Sequence, residues 1–129
     1  MKYDDADWHE GEAGDPVYAA VHIALLFCWL FNNGYVEEEW MKEWNLGIPL
    51  SRKRTPTEYL YDYADGKLID TMLTPEGKLI CDSEYETYMN DYASRKIKGV
   101  RYARRDDTPY CGKDTWKSVK ALDKYFHKR

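Results

Sequence analysis

Apolar residues recur at helical spacing along most of this chain, but residues 17–31 (VYAAVHIALLFCWLF) are apolar almost without interruption. The run is preceded by Asp15-Pro16 and followed by Asn32-Asn33-Gly34. An Asp at the N-cap accepts from free backbone N–H groups, and Pro at the first helical position has its φ already set. Gly just past the end tolerates the left-handed turn. These signals predict a helix over about 16–33, buried nearly all round. Fifteen residues at ~1.5 Å each span about 22 Å, short of the ~30 Å hydrocarbon core of a bilayer. The run contains His22 and follows acidic residues rather than a basic stretch, so it is expected to be neither an anchor nor a signal peptide.

Shorter amphipathic segments surround it. Val36, Trp40 and Trp44 fall at i, i+4 and i+8 of Tyr35–Trp44, giving one aromatic helix face. Residues 45–54 read as a loop with a basic tip. Thr55-Pro56-Thr57-Glu58 is a capping box that starts a helix through about Ala64, and Asp65-Gly66 ends it. Thr74-Pro75-Glu76 marks another start, weakened by Gly77. From Ser83 the pattern strengthens, with Tyr85, Tyr88, Met89 and Tyr92 on one face. Residues 98–105 read as a short strand or an extended basic loop, and 106–109 as a turn. Asp114 is expected to cap a last helix striped by Trp116, Val119, Leu122 and Phe126. The predicted fold is mainly α: one domain over 1–129, five or six helices around the central one, and at most a short strand near 99–105. Residues 1–14 form an acidic arm that Tyr3 and Trp8 pin to it.

The net charge of −4 hides an asymmetry. Residues 1–64 carry 5 basic and 12 acidic side chains, whereas 92–129 carry 12 basic and 4 acidic. The halves either attract each other within the fold or present faces of opposite sign to partners. Three widely spaced cysteines, Cys28, Cys81 and Cys111, without a CxxC pair, favour reduced thiols and a cytoplasmic location. Cys28 lies within the apolar run and reads as a core residue.

Four groups of residues bear on chemistry. Asp4, Asp5, Asp7 and His9 on the arm, with His22, are the composition of a metal or acid/base site. The plainer alternative is an arm folded back on the buried helix, with a carboxylate fixing the tautomer of His22. Glu37, Glu38, Glu39 and Glu43 extend the acidic surface, beside Trp40 and Trp44. Arg95, Lys96, Lys98, Arg101, Arg104 and Arg105, interleaved with Tyr92 and Tyr102, resemble a phosphate-backbone footprint, which the acidic total disfavours. Nucleophile motifs, Walker loops, HExxH and dinucleotide fingerprints are absent from the sequence.

KYDDADWH at 2–9, AAVHIALLFCWLFNNG at 19–34, DGKL at 65–68, LTPEGK at 73–78, YMNDY at 88–92 and Trp116 together resemble a family of small bacterial domains of unknown function. The YDD-x-x-WH and A-x-x-HI patterns carry most of the likeness. The resemblance implies an association with polymorphic-toxin loci, and so an immunity or accessory role. It also marks Trp8, His9 and His22 as a structural knot or a pocket. The expectation is a cytoplasmic, non-enzymatic binding protein without cofactor or metal that neutralises a cognate toxin. Its acidic surface at Glu37, Glu38, Glu39 and Glu43 would be anchored by Trp40 or Trp44. The alternatives are a metal-assisted enzyme using Asp4, Asp5, Asp7, His9 and His22, and a nucleic-acid-binding accessory protein using Arg95–Arg105. The aromatic face at 36–44 equally suits a homodimer; a membrane is not expected as a partner.

Overall fold

A computed structural model describes residues 1–43, 52–104 and 108–127, the side chains of 41–43 excepted. The fold is mainly α, with a small two-stranded sheet. In chain order its elements are β1 (Lys2–Asp5), α1 (Glu10–Ala13), α2 (Pro16–Asn32), α3 (Glu38–Glu43), α4 (Pro56–Ala64), β2 (Lys67–Ile69), α5 (Pro75–Ala93) and α6 (Trp116–His127). Single 3₁₀ turns occupy Ala6–Trp8 and Asp70–Met72.

Helix α2 is the axis of the domain. The Asp15 carboxylate accepts from the backbone N–H groups of Val17 and Tyr18, and Pro16 opens the first turn. Every residue from Ala19 to Phe31 is buried, because α4 and α6 pack along the helix and α1, α5 and the sheet cover the remainder. Side-chain bonds tie this rod to its neighbours, two of them to the long flanking helices. Trp29 Nε1 donates to Asp123 on α6 at 2.8 Å, and the Tyr88 hydroxyl of α5 donates to the His22 carbonyl at 2.6 Å. No helix among the described residues is long and apolar enough to cross a membrane.

The capping box forms as the sequence predicts: Glu58 accepts from the Thr55 N–H while Thr55 Oγ1 accepts from the Glu58 N–H. Helix α5 runs unbroken from Pro75, so the segment beginning at Ser83 is the second half of one long helix. The helix predicted over 35–44 starts only at Glu38. Val36 is instead bridged to Leu73, and the Glu37 N–H donates to the Met72 carbonyl. The expected cap of α6 also differs. Asp114 turns to the first turn of α4, accepting from the N–H and hydroxyl of Thr57, and Thr115 caps α6 through the Ser118 N–H.

The sheet lies away from the segment predicted for it. β1 and β2 pair antiparallel, with Asp4 opposite Leu68, while near 99–105 there is only an isolated bridge from Tyr102 to Gly112. Two adjacent aspartates disfavour a strand on local propensity. Here Asp4 and Asp5 have partners of their own, and the pairing buries Leu68 fully. Cys28, Cys81 and Cys111 are free thiols in buried positions. Burial pushes Cys28 well up and, with the nearby Asp82 charge, Cys81 up to about 12.

Candidate functional site

The arm and the central helix meet in a cluster of four polar side chains. β1 ends at Asp5, and Asp5 caps the turn at Ala6–Trp8 by accepting from the Asp7 N–H at 3.0 Å. The turn brings His9 back over Asp4. His9 Nε2 lies 2.6 Å from one Asp4 carboxylate oxygen, and His22 Nε2 of α2 lies 2.9 Å from the other. The Tyr85 hydroxyl of α5 donates to that second oxygen, and the Asp5 N–H to the first. Asp4 thus accepts four hydrogen bonds and joins the strand, the turn, α2 and α5.

Asp4 is 1 % exposed and His22 fully buried. Burial alone would push the Asp4 carboxyl up. The hydrogen bonds from His22, His9 and Tyr85 outweigh it and hold the group well below the usual carboxylate range. Burial dominates at His22 and lowers its pKa despite Asp4, so its ring is neutral. An ionised Asp4 needs an N–H from each imidazole, which fixes both protons on Nε2. His22 Nδ1 is then a bare acceptor and has no hydrogen-bond partner among the described residues. Rings enclose it: His9 edge-on at 4.7 Å, Tyr110 at 5.3 Å and Tyr92 at 5.4 Å between centroids. Burial and the Asp4 charge push the Tyr85 phenol well up, keeping it a donor.

These states make stability depend on pH. The unfolded chain takes up a proton on His22 below about 6.5 that the folded chain refuses, so this contribution is complete above that pH and falls below it. Asp4 behaves likewise lower down: its contribution is present above about 3.8 and is lost as the pH drops toward its depressed folded value. Denaturation midpoints measured from about pH 8 to 3 are expected to decline in two stages, below about 6.5 and again below about 3.8. A flat profile through both ranges would contradict this assignment of charges.

Asp4, His9 and His22 present ligand atoms within 4.8 Å of one another, a grouping of the kind that can hold a metal ion. A bound ion would displace the Nε2 protons that now satisfy Asp4. It would also leave the Nδ1–H of His22 without an acceptor, against the usual outer-shell support of a metal-bound imidazole. Asp5 belongs elsewhere, ion-paired to Lys2 at 2.9 Å, and Asp7 is exposed.

The sequence grouped Trp8 with His9 and His22, but Trp8 is 58 % exposed and has no part in the buried cluster. Tyr85, Tyr92 and Tyr110 complete the cluster and had only their helical or loop positions to announce them; the usable signal was a buried phenol that must find an acceptor. Of the expected docking residues, Glu38 and Glu39 are exposed and Glu37 is half-buried. Trp40 is also half-buried, its ring 6.1 Å from that of Phe27, so the core covers part of the expected anchor. The Glu43 side chain and Trp44 lie outside the described residues, as does Arg105. In the basic segment Tyr92 is fully buried. Tyr102 donates to the Tyr92 carbonyl and is covered by the Arg95 guanidinium at 5.1 Å, so neither ring forms an open stacking platform.

The chain matches the family described as "Domain of unknown function (DUF7832)" over residues 2–103. Neither a curated protein nor a solved structure matches it.

Proposed function

Taking as premise that the chain belongs to the DUF7832 family, we propose that it is a non-enzymatic binding protein, acting as an immunity protein that occludes a cognate bacterial toxin with an acidic surface. One observation carries this reading. The side chains with catalytic potential, Asp4 and His22, are sealed in the core, while Asp7, Glu10, Glu12, Glu38 and Glu39 of the acidic half are exposed. With Asp4 1 % and His22 0 % exposed, neither presents surface to a substrate. A cavity of about 550 Å³ opens among Gly99, Arg101, Arg104 and Lys113, none of them a member of the cluster.

A toxin that acts on an anionic substrate needs a basic cleft, and a negative surface both steers toward it and blocks it. The association with toxin loci that the sequence resemblance implies supports the same reading. The test is affinity capture from the native host with the full chain as bait. Stoichiometric recovery of a secreted-toxin fragment supports the proposal, and its absence under conditions where that toxin is expressed counts against it. Against the captured toxin, Glu38→Lys with Glu39→Lys is expected to weaken binding about tenfold or more at low salt, mainly by slowing association. The loss should shrink as salt rises. Unchanged affinity at low salt would remove α3 from the interface.

A further inference from the structure

Trp8 is held rigidly in the open. Its turn is fixed on both sides: Ala6 is 1 % exposed, the His9 side chain 12 %, and the His9 N–H closes the turn on the Ala6 carbonyl at 3.0 Å. Burying a large apolar side chain is favourable, a gain the isolated chain forgoes at this position. The neighbouring surface is acidic. The Tyr61 ring lies alongside Gly66 and Ala6, and its hydroxyl donates to the Pro16 carbonyl at 2.8 Å. Asp7 shares the turn with Trp8, Glu10 opens α1 two residues on, and Asp15 precedes Pro16, whose carbonyl Tyr61 holds; all three carboxylates are exposed.

The chain itself shows what this corner attracts. Lys2 Nζ sits 5.5 Å from the Trp8 ring centroid while ion-paired to Asp5. A cation over an indole, flanked by carboxylate, is a favourable pairing even in partial contact with water. We propose that Trp8, with Asp7, Glu10 and Asp15, forms a docking surface for a lysine- or arginine-rich segment of a partner protein, whose cation replaces Lys2 on the indole. The assignment rests on the reading of the chain as a binding protein with an acidic surface, and it places the aromatic anchor on the arm instead of α3. Trp and a rim of charge are the usual composition of an interface centre.

The test uses the full chain and a fluorescein-labelled, end-capped deca-arginine peptide, read by anisotropy. The wild type is expected to bind. Trp8→Ala is expected to weaken binding about tenfold or more with an unshifted thermal melt, since the ring is mostly exposed. Trp8→Phe should recover part of the loss. Asp7→Asn with Glu10→Gln and Asp15→Asn should weaken binding and flatten its salt dependence. Leu79→Ala, at an apolar side chain on α5 that is 69 % exposed, should change nothing. Wild-type affinity in Trp8→Ala overturns the proposal. If Glu38→Lys with Glu39→Lys then abolishes binding, the functional reading survives with α3 as its face. A wild type that ignores the peptide also overturns this docking surface, leaving toxin capture to decide the function separately.

Discussion

Replacing Asp4 by Asn is expected to cost about 3–5 kcal/mol of folding stability, because it removes one member of a buried, hydrogen-bonded charge cluster. The Asn amide presents a single carbonyl oxygen to donors that now share two carboxylate oxygens: both imidazole N–H groups, the Tyr85 hydroxyl and the Asp5 N–H. Its NH₂ would face two of those donors directly, since each carboxylate oxygen accepts from two. Domains of this size are stable by roughly 5–15 kcal/mol, so the variant stands near the edge of folding at room temperature. Urea denaturation at neutral pH measures the loss. A second readout identifies the cause, since the variant should lose Asp4's share of the acid sensitivity below about 3.8 and show a shallower decline there than the wild type. A loss under about 1 kcal/mol would mean that Asp4 is not the hub of the cluster.

Gly77→Ala is expected to destabilise the protein by about 1–3 kcal/mol, the cost of overpacking, although alanine is the better helix former by about 0.8–1.0 kcal/mol. A Cβ at this position would stand 2.6 Å from the Tyr35 carbonyl oxygen, 3.1 Å from Tyr35 Cβ and 3.3 Å from Leu73 Cβ. The carbonyl is not free to retreat, because it accepts from the Thr74 N–H at 2.9 Å, and Thr74 in turn caps α5 through the Gly77 N–H. Chemical denaturation of the variant gives the sign. A gain in stability would show that the segment after α2 can move away from α5. From sequence alone Gly77 reads as a weakness in the first turn of a helix; in the fold it is the place where another backbone passes.

Local signals were legible, and their reasons are local. The caps at Asp15, Thr55 and Thr74 and the glycine after α2 act within four residues of themselves, so the bounds of α2 and α4 and the start of α5 follow from residue order. The end of α5's amphipathic pattern was legible too, but not its continuity across Gly77. The possibility that a carboxylate of the arm fixes His22 was open from composition, though which carboxylate was not. Four acidic residues lie within the first ten, and they are interchangeable to a reader of periodicity.

The residue order by itself determined a mainly helical domain built on one almost wholly apolar helix, together with the unequal distribution of charge between its halves. Only the tertiary structure decided that Asp4 is the acceptor, that two short acidic and mixed segments pair as strands, that Asp114 serves α4 instead of α6, and that Trp8 faces outward. The physical reason is separation along the chain. Asp4 finds His22 18 positions away and Tyr85 81 positions away. Such bonds form only after packing has brought their elements together, because closing the intervening loops costs conformational entropy that no local preference repays.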